Sequence, residues 1–181
     1  MSGIKDIWHY ANHTIKSARQ VLNERLRPLG LSSAEGNVLL SLLSSDQVLR
    51  QEDLVAQLEI SKPAVSRALL SLEIKGLVTR ERDAADKRVS RVYLTEKANQ
   101  IGPEVQEIYD NIFALASEGI SEEEIAIFIG IFRRVSKSFS RQRGADDVSK
   151  WSISRGDLDR VLPRWASRYS YHVKGLVQTT Y

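Results

Sequence analysis

Two groups of residues in this chain are suited to binding chemistry. The stretch "SKPAVSRALLSLEIKG" (61–76) opens with Ser61, Lys62 and Pro63, carries Ser66 and Arg67 one turn further in, and then turns to leucine. Hydroxyls and cations in the first turns of a helix can hold anionic oxygens, because the backbone N–H groups there are free and the dipole end is positive. An arginine fork can also take two acceptors at once, such as O6 and N7 of guanine. The second group is "DAADKRVSR" (83–91), with Asp86, Lys87, Arg88 and Arg91, preceded by Arg80 and Arg82.

Catalytic and metal chemistry is not written in the same way. With no cysteine and three histidines, the chain lacks thiolate zinc sites, cysteine nucleophiles and thiol redox sensors. His9 and His13 have the i,i+4 spacing of one helical face, but no third ligand accompanies them. Glu122, Glu123 and Glu124 are consecutive and so fan around a helix, as at a solvated helix start. There is no paired His-Ser-Asp arrangement, no phosphate loop "GxxxxGK[ST]" and no "HExxH". The expectation is a chain that is no enzyme and needs neither metal nor cofactor.

The elements that must position the two groups follow from periodicity. Ile4, Ile7, Ala11, Ile15, Ala18, Leu22, Leu26 and Leu29 recur at three- and four-residue steps, which predicts a long amphipathic helix ending near Pro28-Leu29-Gly30. Ser32 or Ser33 caps a second helix, with Glu35 near its start. "QVLR" reads as an extended link, and "QEDLVAQLE" as a short third helix with Leu54, Val55 and Leu58 inward. Ser61 is placed to cap a fourth helix, Pro63 fits its first turn, and Gly76 ends it. "LVTRER" and "RVSRVYLT" are β-branched and basic, and predict a hairpin joined at a charged tip. Thr95 caps a fifth helix with Ile101, Val105, Ile108, Ile112 and Leu115 on one face, and Pro103 is expected to kink it. Ser121 with Glu124 is a capping box for a sixth helix, along which Ile125, Phe128, Phe132, Val135 and Phe139 form a heptad-like seam.

On a wheel at 100° per residue, Val65, Ala68, Leu69 and Leu72 of the fourth helix share one face, whereas Pro63, Arg67 and Leu70 point away from it and Ser66 lies beside them. Arg67 therefore faces outward near the start of a helix preceded by a shorter helix and a tight connection, the layout of a helix-turn-helix. Such a helix enters the major groove of DNA by its N-terminal end. Charge agrees: residues 61–100 hold nine Lys/Arg against five Asp/Glu, whereas residues 101–140 hold three against seven. A basic hairpin beside the helix can follow the backbone and place an arginine in a narrow minor groove. These residues predict a partner in double-stranded DNA, with Ser61, Lys62, Pro63, Ser66, Arg67, Lys87, Arg88 and Arg91 in contact.

The segment "DLVAQLEISKPAVSRALLSLEIKGLVTRERDAADKRVSRVYLT" resembles the winged helix-turn-helix core of the MarR family of transcriptional regulators, and the likeness extends over about residues 1–142. The resemblance implies a mainly α fold with a small β-hairpin wing, in which a winged helix-turn-helix lobe (31–95) is joined to a helical dimerisation region (1–30 and 96–142). It implies that Arg88 reaches the minor groove while Asp86 supports the wing. The chain departs from the family in having Ala98 where glycine is frequent, and its lack of cysteine excludes the peroxide-sensing branch. Family members bind small aromatic ligands between dimer helices and lobe, which makes Trp8, His13 and Tyr109 candidate lining residues.

Two lobes on a two-fold axis read half-sites one helical turn apart, so the expected assembly is a homodimer on a near-palindromic operator. Residues 143–181, rich in tryptophan, tyrosine and arginine, form a C-terminal extension of unknown role. The chain has no apolar run near the ~20 residues of a membrane span and no signal-peptide core, which predicts a cytoplasmic protein. The full expectation is a sequence-specific regulator, a repressor released by a small ligand. The alternative is a winged-helix module that binds protein and no DNA, for which a cationic wing tip is superfluous.

Overall fold

The structure, a computed structural model, describes residues 3–82 and 90–142. In chain order the elements are α1 (Gly3–Leu26), a 3-10 turn (Arg27–Leu29), α2 (Ser33–Leu43), β1 (Leu49–Arg50), α3 (Gln51–Leu58), α4 (Lys62–Ile74), β2 (Val78–Arg82), β3 (Ser90–Leu94), α5 (Glu96–Ala116) and α6 (Glu122–Gln142). Packing divides the chain into residues 1–115 and 116–181. The mainly α architecture with a small β wing is the expected fold class.

Local signals explain most boundaries. Gly30 takes a left-handed φ of 68° after the 3-10 turn, which stops the first helix where Pro28 predicts a stop. Ser32 and Glu35 form a reciprocal capping box that starts α2. Helix α4 ends in a Schellman arrangement, in which Gly76 N–H bonds Glu73 O at 2.9 Å and Leu77 N–H bonds Leu72 O at 2.9 Å. Gly76 has φ of 69°, where a side chain would be strained. Thr95 Oγ1 accepts from Ala98 N–H at 3.3 Å to start α5, and donates to Gly76 O at 2.8 Å, so one residue joins a helix start to the preceding helix end. Helix α5 continues through Pro103.

The "QVLR" segment is extended at its end, as expected, and also pairs into the sheet. Leu49 and Arg50 form strand β1, which pairs antiparallel with β3 (Leu49 opposite Val92, Arg50 opposite Arg91) and makes a three-stranded sheet in the order β1-β3-β2. Two residues are too few to display an alternation, and the partner strand lies some forty positions on. Strands β2 and β3 pair from Val78–Leu94 to Arg82–Ser90, as the hairpin pattern predicts.

The core sits where these elements meet. Leu26, Leu39, Leu54, Leu69, Leu72 and Val105 are all fully buried. Gly36 allows α2 to approach closely: a Cβ there would lie 2.8 Å from Tyr109 Oη. Helix α6 contains no buried residue among those described. Its Ile127, Phe128 and Phe139 are 63%, 60% and 57% exposed.

Candidate nucleic-acid interface

Helices α3 and α4 are joined by a tight turn in which Glu59 adopts a left-handed φ of 52°. That conformation is uncommon for a residue with a side chain and sharpens the change of direction. Helix α4 buries Val65, Ala68, Leu69 and Leu72, the face the wheel assigns to the core. Pro63, Arg67 and Leu70 are exposed on the other side, and Ser66 is half-buried. Arg67 makes no hydrogen bond or ion pair among the described residues, so its guanidinium is available to an outside partner.

The opening of the helix is built differently from the N-cap that the sequence predicts. Ser61 occupies the N-cap position, but its side chain makes no capping bond, and its carbonyl accepts from Ala64 and Val65 N–H at 2.9 and 3.1 Å. Pro63 leaves one N–H fewer at this end. Lys62 Nζ lies 3.0 Å from Glu52 Oε1, joining the first turns of α3 and α4 in an exposed ion pair.

Two further pairs hold the lobe around this surface. Arg80 donates from Nε to Glu73 Oε2 at 3.0 Å and from Nη2 to the same oxygen. The sequence groups Arg80 with the outward cations of the wing; the structure instead uses it to tie β2 to α4. Val78 is buried and Arg80 is on the same face of β2, as strand alternation requires. Arg82 and Arg91 are exposed. Arg91 stands opposite Arg50 on one side and Glu81 on the other. Arg50 is held by Asp53, with Nη2 to Oδ1 at 2.9 Å.

Behind α4 lies a carboxylate that sequence reasoning treats only as a helix-start charge. Glu35 is 5% exposed. It accepts from Ser32 N–H and Oγ, each at 2.7 Å, and pairs with Lys75 at the C-terminal end of α4. Burial works to raise the Glu35 carboxyl, but hydrogen bonds from Lys75, Ser71 and Ser32 outweigh it and hold the pKa at about 2. Lys75 Nζ also donates to Gly30 O at 2.7 Å, and Lys97 Nζ donates to Lys75 O at 2.8 Å. The rear of α4 is thus fastened to the end of the 3-10 turn, to α2 and to α5, leaving its outer face open.

The fold that carries this outward helix is similar to that of several solved proteins. Residues 29–89 match the model of the MarR family. Over that span the chain is similar to MarR-family proteins. The S. aureus MepR–DNA complex is 26% identical to it, covers 72% of this chain and 97% of MepR, and superposes with a TM-score of 0.67. The transcriptional regulator SlyA is 23% identical over 76% of this chain and 96% of its own, with a TM-score of 0.68. CouR from Rhodococcus jostii, bound to p-coumaroyl-CoA, is 20% identical over 72% of this chain and 91% of its own, at 0.63. For the last two the likeness is one of fold.

The remaining predicted residues of the chain are distributed unevenly. Asp86, Lys87 and Arg88 lie outside the described residues, as does the extension 143–181. Trp8 and His13 are exposed on α1. Tyr109 is 3% exposed; its hydroxyl donates to Asn37 Oδ1 at 2.6 Å and burial pushes the phenol up. A cavity of about 250 Å³ is lined by Leu29, Gly30, Lys75, Leu77, Lys97 and Ile101, and none of Trp8, His13 and Tyr109 borders it. Among the described residues no group of three His, Cys, Asp or Glu could hold a metal, and no helix is long and apolar enough to cross a membrane.

Proposed function

We propose that this protein is a homodimeric, sequence-specific regulator of transcription that binds double-stranded DNA and acts as a repressor in the cytoplasm. The observation that carries the reading is the outer face of α4. Arg67 is exposed and uncommitted there, while the opposite face is locked into the core. A planar fork on an outward helix reads guanine O6 and N7 in the major groove. Ser61, Lys62 and Ser66 flank it toward the phosphates, with Pro63 in contact beside them, while Lys87 and Arg91 of the wing follow the backbone and Arg88 reaches the minor groove, with Asp86 supporting the wing.

Self-pairing is supported by apolar surface that one chain leaves exposed. Tyr10 and Ile15 of α1 are 69% and 59% exposed, and Ile127 and Phe128 of α6 exceed half. Burying such stripes against a second copy places two recognition helices on one near-palindromic site, about 34–36 Å apart. The DNA-bound state of MepR, 26% identical, supports the same partner for this chain. Control by a small carboxylate-bearing aromatic ligand is part of the proposal. The cavity lined by Leu29, Gly30, Lys75, Leu77, Lys97 and Ile101 offers apolar walls for an aromatic ring, while the Lys75 and Lys97 ammonium groups are bonded within the lobe. A ligand there acts only through different affinities for the DNA-competent and incompetent arrangements.

The test is selection of bound duplexes from a random pool, followed by sedimentation of the complex. Enrichment of an inverted repeat, with two chains per duplex, is expected. A pool that stays random would refute the reading.

A further inference from the structure

The pair between Lys62 and Glu52 bears on how tightly the lobe can hold any duplex. Lys62 is the first residue of α4 and Glu52 belongs to the first turn of α3, so the pair joins the leading ends of both helices of the helix-turn-helix. Lys62 Nζ donates to Glu52 Oε1 at 3.0 Å, and the two side chains are 64% and 46% exposed. The Lys62 hydrogen bond holds the Glu52 carboxyl below its usual range, with the backbone of Glu52 adding to it, so Glu52 stays an anion. A carboxylate oxygen at this distance offers the ammonium what a phosphate oxygen would offer: one negative acceptor in charge-assisted contact.

Resting on the reading of this lobe as DNA-binding, we infer that Glu52 is an internal stand-in for a DNA phosphate, which holds Lys62 in the free protein and must release it when a duplex arrives. Exposed pairs of this kind are weak, so the exchange is accessible. It is not neutral. Once Lys62 turns to the duplex, Glu52 is left uncompensated, and its anion repels the phosphate chain. Glu52 therefore lowers affinity for every duplex, whatever its sequence.

The exchange has a signature in salt dependence. A lysine that moves from water to a phosphate displaces a condensed counterion and adds about 0.9 to the slope of log affinity against log salt. A lysine that leaves a carboxylate uncovers one anion while covering another, so cation release at the duplex is offset by cation uptake at Glu52. Lys62 then contributes less than its full share until Glu52 is neutralised.

The experiment titrates the parent and Glu52→Gln against the duplex recovered by selection and against one unrelated duplex, over a range of salt. Glu52→Gln should bind both duplexes roughly two- to fivefold tighter at low salt, with a slope steeper by up to about 0.9. In a Lys62→Met background the same substitution should leave the slope unchanged. Glu52→Ala provides a second removal of the carboxylate, and thermal melting confirms that each variant is folded. Weaker binding by both Glu52 variants, or an unaltered slope, would overturn the inference while leaving DNA binding intact. A parent that binds neither duplex would remove the underlying reading as well.

Discussion

The segment from Leu26 to Tyr109 and the two helices α1 and α6 dispose of most of their apolar side chains in opposite ways. Every fully buried hydrophobic residue among those described lies between those two positions, drawn from all of the helices and strands that surround α4. Along α6, by contrast, Ile127, Phe128, Ile129, Ile131 and Phe139 are exposed, and α1 exposes Ile7, Tyr10 and Ile15. The same kinds of residue at the same helical spacings thus serve two ends. The lobe uses them to fix a surface, with α4 clamped from behind by Lys75 and from the side by Arg80. Helices α1 and α6 leave them exposed within a single chain.

This contrast can be broken at several points. Leu69 is 0% exposed on the inner face of α4, so Leu69→Ala should destabilise the fold by about 2–5 kcal/mol in denaturant titration. A loss below 1 kcal/mol would mean that the lobe is not packed as described. Acid provides a second point. Glu35 ionises at about 2 in the folded chain against 4.5 for a free carboxyl, so its stabilisation is fully present above about pH 5 and disappears as pH falls toward 2. That amounts to roughly 3 kcal/mol, and Glu35→Gln should flatten this part of the stability–pH curve. Phe128 sharpens the comparison from the other side. At 60% exposure, Phe128→Ser should change the stability of the separated chain by less than about 0.5 kcal/mol, while shifting sedimentation toward the monomer. A cooperative loss of fold comparable to that of Leu69→Ala would show that α6 is packed within its own chain.

The sequence made some of these features legible and hid others. Periodicity alone separates Val65, Ala68, Leu69 and Leu72 from Arg67, because a helix face depends only on spacing within thirteen residues. Capping at Ser32, Thr95 and Ser121 is equally local, each oxygen meeting an N–H three residues on. What stayed hidden joins distant positions. Lys75 meets Glu35 across forty residues, Arg80 meets Glu73 across a turn, and Lys62 meets Glu52 across the helix-turn-helix. Charge type is visible in a sequence, but which opposite charge a cation meets is set by the packing of the elements that carry them. The strand of Leu49 and Arg50 was hidden for the same reason, since its evidence is a partner and not a pattern. The burial of Tyr109 and its bond to Asn37 were hidden likewise, since they join α5 to α2 across seventy-two positions.

The most direct measurement is the affinity of Arg67→Ala for the selected duplex, beside copies of that duplex altered at one base pair at a time. Loss of about 1–3 kcal/mol, with discrimination relaxed at a single guanine position, is the predicted result. Binding equal to the parent, with its sequence preference intact, would contradict the claim that the outer face of α4 reads the groove.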